Sequence, residues 1–95
     1  MTRIPTHPGA LLREDVLPAL KMKRSEIARA LGISRSLLYT ILAEDAPVTA
    51  NVALRLGKFL GNGPELWLDM QTAHDLAVAS RDMKRELNGI RKAAA

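Results

Sequence analysis

Residues 24–42 read RSEIARALGISRSLLYTIL, and this stretch decides the fold. Between Ile27 and Leu31 apolar residues recur every three or four positions, a spacing that predicts a short amphipathic helix. Gly32 can adopt the left-handed conformation that ends such a helix, and Ser34 is well suited to cap the start of a second one. Two short helices joined by a tight glycine-containing turn form the helix-turn-helix motif.

Three further helices are predicted around this motif. The first lies upstream, and we expect Pro18 to end or bend it. Thr49 is placed to cap the helix that follows the motif, and Gly61 to end it. Pro64 opens a last helix whose apolar residues keep a spacing of three, four or their sum as far as Ile90. The sequence therefore predicts an all-α fold.

A single small domain accounts for a chain of 95 residues and 10.4 kDa. We expect an N-terminal arm over 1–7, a helix-turn-helix domain over 8–63, one long helix over 64–90 and a frayed tail over 91–95. If the long helix extends to Asn88, it is about 37 Å long at about 1.5 Å per residue, more than so small a domain covers. A second chain is therefore expected along it.

The composition argues against several classes of protein. The chain has no cysteine and two histidines, His7 and His74. It therefore has almost none of the side chains that thiolate chemistry, metal ligation and histidine-based catalysis require. A helix-start role for His7 and a carboxylate partner for His74 are the simpler interpretations. We expect no catalytic residue, no metal, no cofactor and no small-molecule substrate.

Hydropathy and net charge limit the classes of partner that fit this chain. The apolar runs are too short for a membrane span or a signal peptide, which favours a cytoplasmic protein without a membrane partner. A net charge of +4 suggests a polyanionic partner, and only three aromatic residues argue against base stacking on single strands. Double-stranded DNA is therefore the favoured nucleic acid.

Several further motifs surround the helix-turn-helix. They are His7-Pro8-Gly9, Leu12-Arg13-Glu14, Val48-Thr49-Ala50, Ala53-Leu54-Arg55-Leu56, Leu66-Trp67-Leu68, Met70-Gln71 and Asp75-Leu76. In order and spacing, the whole set resembles the HigA antitoxins, a branch of the lambda-repressor/Cro-like (Xre) helix-turn-helix family. The resemblance implies a five-helix lambda-repressor-like fold with an extended C-terminal helix. It also implies a homodimer that represses its own operon and neutralises a HigB-like toxin, an RelE-like ribonuclease that cuts messenger RNA at the ribosome.

Base reading is predicted from the second motif helix. A helix lying in the major groove reads bases with the side chains of its exposed face. Leu38, Ile41 and Leu42 share the buried face, which leaves the other side chains as candidate readers. These candidates are Arg35, Ser36, Leu37, Tyr39 and Thr40.

Three of these candidates have alternative roles. Arg35 suits a bidentate contact with guanine, or a contact with phosphate alone. Leu37 suits a thymine methyl group, or burial against a neighbouring helix. Tyr39 suits a base edge or a phosphate, or half-buried packing.

Phosphate contacts are predicted from residues at helix starts. Lys23 and Arg24 lie where the family places the first residues of its second helix, beside the DNA backbone; the alternative is a pair of solvated charges. Ser34 and Thr49 stand at helix N-termini, where free N–H groups bind phosphate, although capping alone explains both.

The loop after the second motif helix departs from the family pattern. Family members often have Gly, Asn and basic residues there, whereas this chain has Glu44 and Asp45. These carboxylates are expected to repel the DNA backbone, which would make binding modest and steeply salt-dependent or abolish it.

Net charge differs between segments of the chain. Residues 1–43 hold seven Lys and Arg against three Asp and Glu, a net +4, whereas residues 44–80 hold two against five, a net −3. Residues 81–95 hold five against two, a net +3. The acidic middle segment suits contact with a basic, RNA-binding toxin.

The dimer or partner contact is predicted along the last helix. Its candidate residues are Trp67, Met70, Ala77, Met83 and Leu87. Trp67 has the role of a core anchor as its alternative. Because helical patterning fills most of the chain, we expect the protein to be folded before it meets a toxin.

Three functions fit the sequence. The first is an antitoxin that also represses its own operon. The second is a stand-alone transcriptional regulator without a toxin, and the third is an antitoxin that has lost DNA binding.

Overall fold

The fold consists of helices. A computed structural model of the protein describes residues 3–94, and in that range it has six helices and no β-strand. Helix α1 is formed by three contiguous segments, Pro8–Leu11, Leu12–Val16 and Leu17–Leu20. It is followed by α2 (Arg24–Leu31), α3 (Arg35–Leu42), α4 (Ala50–Leu60), α5 (Pro64–Asp82) and α6 (Lys84–Asn88). The predicted all-α class with an extended C-terminal helix is confirmed.

The predicted arm and tail lie at the two ends of this bundle. Residues 3–7 precede α1 and residues 90–94 follow α6, and neither stretch forms a helix. Met1, Thr2 and Ala95, to which the arm and the tail extend in the sequence, lie outside the described residues.

Helix α1 continues through Pro18 instead of ending there. Its middle segment, Leu12–Val16, is a π-helical turn, and the Leu17 N–H bonds to the carbonyl of Leu12, five residues back. A proline ring in a regular α-helix clashes with the carbonyl four residues earlier, and the wider turn accommodates it. The helix ends at Lys21, whose φ of 54° is left-handed.

The core is formed by one face of each helix from α1 to α5, together with Val48. Its buried apolar residues are Leu12, Leu17, Ile27, Ala28, Leu31, Leu38, Ile41, Leu42, Val48, Val52, Ala53, Leu56 and Trp67. Trp67 is 1% exposed, and its Nε1–H donates to Asn62 Oδ1 at 3.2 Å. The predicted contact of Trp67 with a partner is therefore corrected: its ring is enclosed by its own chain, and it anchors the core.

The long helix predicted over 64–90 is two helices in the structure. Helix α5 ends at Asp82 and α6 begins at Lys84, because Met83 leaves helical geometry with φ −106° and ψ 17°. The Met83 N–H still bonds to the Ala79 carbonyl at 2.8 Å, so one distorted residue joins the two helices.

A buried glutamine joins α5 to the segment between α3 and α4. The Oε1 of Gln71 accepts the Val48 N–H at 2.7 Å, and its Nε2 donates to Asp75 Oδ1 at 2.9 Å. A buried N–H or amide without such partners would be costly. The bond to Val48 therefore holds the end of the segment that leads into α4.

Two histidines hold the N-terminal arm. His7 is buried, and its Nδ1 accepts the Gly9 N–H at 2.8 Å, which caps the first turn of α1. His74 of α5 lies edge-on to the His7 ring with centroids 5.1 Å apart, and its Nδ1 donates to the Pro5 carbonyl at 2.8 Å. His7 is the predicted helix-start residue, whereas His74 bonds a backbone carbonyl instead of the expected carboxylate.

The environment of His7 favours its neutral form. Burial, with a smaller contribution from His74, lowers the pKa of His7 from its ordinary value of 6.5. Lesser opposing effects come from Glu44, Asp75 and a hydrogen bond with the Ala46 backbone. The unfolded chain therefore takes up a proton at this residue more readily than the folded chain does.

Replacing Gly9 by alanine is expected to destabilise the domain. A Cβ at Gly9 would overlap the Ile41 carbonyl oxygen at the end of α3, so α1 and α3 would have to separate. Overpacking of this kind costs about 1–3 kcal/mol. Thermal unfolding followed by circular dichroism is expected to show a midpoint lower by roughly 4–8 °C per kcal/mol for a domain of this size.

Gly89→Ala is the control for this variant. A Cβ at Gly89 meets nothing nearer than the Glu86 carbonyl oxygen at 3.4 Å, an ordinary contact. Equal unfolding midpoints for Gly9→Ala and Gly89→Ala would contradict the prediction.

Stability is expected to fall as the pH is lowered through 6.5, the ordinary pKa of His7. Above that value both states hold His7 neutral and its contribution is complete; below it the unfolded state is protonated first, and stability is lost until the folded-state pKa is passed. Thermal midpoints between pH 8 and pH 5 measure this loss. His7→Asn keeps an acceptor for the Gly9 N–H without titrating, so its midpoint should decline less, and parallel curves would refute the assignment.

Candidate nucleic-acid interface

The turn between α2 and α3 is fixed by local hydrogen bonds. Gly32 has a φ of 73°, and its N–H bonds to the Arg29 carbonyl at 3.1 Å. Ser34 then caps α3, because its Oγ accepts the Leu37 N–H at 3.0 Å. The glycine end and the serine cap predicted from the sequence are confirmed, and with them the helix-turn-helix.

Arg55 of α4 closes this turn from outside the motif. Its Nη1 donates to the Leu31 carbonyl at 2.9 Å and to the Gly32 carbonyl at 3.2 Å, and its Nε donates to Asn51 Oδ1 at 2.7 Å. A helix end leaves such carbonyls without donors, so Arg55 stabilises the end of α2. Sequence reasoning missed this role, since an Asn four residues before an Arg is a weak signal.

Most candidate base readers are exposed on α3. Arg35, Ser36 and Leu37 are exposed in its first turn, and Tyr39 is 49% exposed. Thr40 is half-buried, and its Oγ1 donates to the Ser36 carbonyl at 2.6 Å. The structure therefore brings four of the five candidates to the surface together. The hydroxyl proton of Thr40 is already donated within the helix and is not available to a base.

The candidate phosphate contacts lie at three helix starts. Lys23 and Arg24 are exposed at the start of α2, where the Glu26 carboxylate accepts the Lys23 N–H at 2.9 Å. Thr49 caps α4 with its hydroxyl oxygen, as Ser34 caps α3. Both caps remain exposed, so capping and phosphate binding are compatible at these two residues.

Arg24 and Tyr39 are in contact across the two motif helices. The Cζ of Arg24 lies over the Tyr39 ring, 5.2 Å from its centroid. Cation–π attraction operates within about 6 Å. This contact joins a predicted phosphate-binding residue to a predicted base reader.

The acidic loop is tied to α1. Arg13 Nη1 donates to the Leu42 carbonyl at 2.6 Å and to Glu44 Oε2 at 3.2 Å. Hydrogen bonds with Glu14 and then with Glu44 raise the pKa of Arg13. Arg13 is therefore shared between Glu14 and Glu44, so it offsets part of the charge of Glu44, and within residues 3–94 Asp45 has no ion pair. The loop follows the C-terminal end of α3, away from Arg35 in its first turn.

An open apolar groove, the C-terminal groove, lies on α5 and α6. It is lined by Leu76, Ala77, Ala79, Ser80, Met83 and Leu87. Three of the predicted partner residues, Ala77, Met83 and Leu87, are therefore brought together. Met70 is not among them, because it packs half-buried against the core.

Two features are absent among residues 3–94. No helix in that range is long and apolar enough to cross a membrane. In the same part of the chain, no three His, Cys, Asp or Glu side chains lie together as possible ligands of a metal ion.

Comparison with known proteins places this geometry among the helix-turn-helix regulators. No protein-family model matches the chain. It is 40% identical over 82 residues to Virulence-associated protein I of Dichelobacter nodosus, covering 86% of this chain and 75% of that protein. It is 37% identical over 76 residues to an HTH-type transcriptional regulator of Haemophilus influenzae, covering 80% of this chain and 71% of the relative.

Antitoxins are among the similar proteins. Antitoxin HigA-1 of Vibrio cholerae is 34% identical over 74 residues, covering 78% of this chain and 70% of its own. The structure of antitoxin GraA in complex with its operator superposes with a TM-score of 0.89 at 37% identity, covering 99% of this chain and 95% of GraA. Pseudomonas aeruginosa antitoxin HigA with the higBA promoter gives 0.87 at 27% identity, covering 95% and 99%. The chain belongs to the HigA-type family of lambda-repressor-like (Xre) helix-turn-helix proteins.

Proposed function

We propose that this protein is the antitoxin of a type II module, which neutralises a HigB-like, mRNA-cleaving toxin and, as a dimer, represses its own operon. The observation that carries the proposal is the match to GraA and to HigA over nearly the whole chain, both in structures that contain their own DNA. The exposed first turn of α3 supports the DNA-binding half of it.

DNA docking follows from the exposed residues. The first turn of α3 enters the major groove, where Arg35 donates to a guanine and Leu37 meets a thymine methyl group. Ser36 lies beside them, and Thr40 contributes its remaining acceptor capacity. Lys23 and the helix starts capped by Ser34 and Thr49 hold phosphates on either side. These are the roles that the exposure of each side chain supports.

Dimerisation is assigned to the C-terminal groove. Leu76 is 66% exposed and Leu87 43%, an apolar surface that a second copy would remove from water. Two copies of a helix-turn-helix also match the two half-sites of a palindromic operator. Met70 contributes at most the edge of its half-buried side chain.

Toxin binding is assigned to the acidic stretch of α5. Glu65 and Asp69 are exposed there, and a basic RNA-binding partner would be steered towards them. The packed core around Trp67 supports a domain that is folded before the toxin arrives. In this role the protein acts in the cytoplasm by binding, without catalysis.

A stand-alone transcriptional regulator is the second candidate. It is favoured by relatives named as HTH-type transcriptional regulators. Loss of DNA binding is less well supported, because Glu44 is paired with Arg13 and the acidic loop lies at the opposite end of α3 from Arg35.

Arg35→Ala is expected to weaken operator binding about 5- to 150-fold. The reason is that a bidentate arginine–guanine contact is worth about 1–3 kcal/mol, and about 1.4 kcal/mol is a factor of ten. A gel shift on the promoter DNA of its own operon measures the effect. Lys58→Ala, which removes an exposed positive charge near the C-terminal end of α4, is the control. No wild-type binding at low salt would overturn the operator-binding half of the proposal, and equal binding by both variants would overturn the role of Arg35.

The product of the adjoining gene is expected to arrest growth when expressed alone, and co-expression of this protein should restore growth. The Glu65→Lys/Asp69→Lys variant should restore it less, because charge reversal slows association with a basic partner. Glu86→Lys on α6 is the control, since it reverses an exposed charge outside the acidic stretch. If the product of neither adjoining gene arrests growth, the stand-alone transcriptional regulator becomes the better-supported function.

A further inference from the structure

The contact between Arg24 and Tyr39 brings together residues 15 positions apart in the sequence. Arg24 is the first residue of α2, and Tyr39 lies in the middle of α3. The turn at Gly32, closed by Arg55, fixes the two helices relative to each other and so keeps the pair in register.

We propose that Tyr39 is a positioning residue: its ring holds the guanidinium of Arg24 on the exposed side of the motif, where Arg24 binds a DNA phosphate. The inference rests on the proposed DNA binding and deepens it. In this arrangement the ring of Tyr39 acts through Arg24, and the Tyr39 hydroxyl does not read a base, which revises the role predicted from the sequence.

The donors of Arg24 are available for a phosphate. Within residues 3–94, no carboxylate lies within ion-pair distance of its guanidinium. Glu26, the acidic side chain in the first turn of the same helix, accepts the Lys23 N–H instead. A ring engages the positive charge without accepting hydrogen bonds from all the N–H groups, so contact with Tyr39 orients the side chain and leaves donors for a ligand.

Orientation matters because an arginine side chain is otherwise mobile. A free arginine loses rotamer entropy when a contact fixes it, and an arginine that is already held loses less. The ring also stays accessible, since Tyr39 is 49% exposed and lies outside the core. Its replacement therefore tests positioning without opening a cavity.

The test compares four variants with the wild type on promoter DNA and on an unrelated duplex of equal length. They are Tyr39→Phe, Tyr39→Leu, Arg24→Ala and the double variant Arg24→Ala/Tyr39→Leu. Affinity is measured over a series of salt concentrations, because each lost phosphate contact lowers the salt slope by about 1. Thermal midpoints are measured alongside to establish that each variant is folded.

Tyr39→Phe is expected to bind both duplexes like the wild type, because the ring is retained. Tyr39→Leu should weaken binding to both duplexes by a similar factor, about two- to fivefold, the strength of an exposed cation–π contact. Arg24→Ala should lower the salt slope, and the double variant should bind no worse than Arg24→Ala, since the ring acts only through Arg24.

Two results would overturn the inference alone. Loss of operator preference in Tyr39→Phe would show that the hydroxyl reads a base. Additive losses in the double variant would show that the two residues act independently. Failure of the wild type to bind either duplex at low salt would instead overturn the proposed DNA binding, and this inference with it.

Discussion

The hydrogen bond from the Val48 N–H to the buried side chain of Gln71 ties the segment between α3 and α4 to α5. Hydrogen bonds back into α3 hold the first residues of this segment, Ala43 to Asp45, whereas Val48 is held from α5, 23 residues away in the sequence. Gly9 makes a second contact, with α3 itself, since only a residue without a Cβ allows α1 to approach the Ile41 carbonyl so closely. The motifs at residues 7–9 and 70–71, far apart in sequence, thus both fix the helix-turn-helix within the bundle: one holds α3 and the other holds the segment that follows it.

Local signals in the sequence predicted much of this fold. The periodicity of residues 24–42 and the caps at Ser34 and Thr49 depend on neighbours within one helical turn, and the structure has them as expected. The break at Met83 could not be predicted, because no proline or glycine marks it. The hydrogen bonds by which Arg55 stabilises the end of α2 could not be predicted either, since a bond to a carbonyl 24 residues away depends on how the helices pack.

In the candidate site, too, features that depend on local sequence were predictable and features that depend on how the helices pack were not. Exposure of Arg35 and Leu37 followed from which face of α3 is apolar, a property of the sequence alone. The sequence did not show which charged side chains are paired within the protein and which are available to a ligand. Arg55 caps α2 and Arg13 holds Glu44, so the count of basic residues overstates the charge available to a ligand and a count of acidic ones overstates the repulsion. The charge that a ligand meets is therefore the charge left over after the internally paired groups are subtracted.

The π-helical turn in α1 has a consequence for how this helix can vary among related sequences. The turn gives α1 one residue more than a regular helix of the same span needs, and this extra residue is what accommodates Pro18. A chain that lost one of the exposed residues in Leu12–Val16 would return to a regular helix with Leu12 and Leu17 still facing the core, but Pro18 would then clash with a carbonyl and kink it. The extra residue and Pro18 therefore depend on each other for a straight α1.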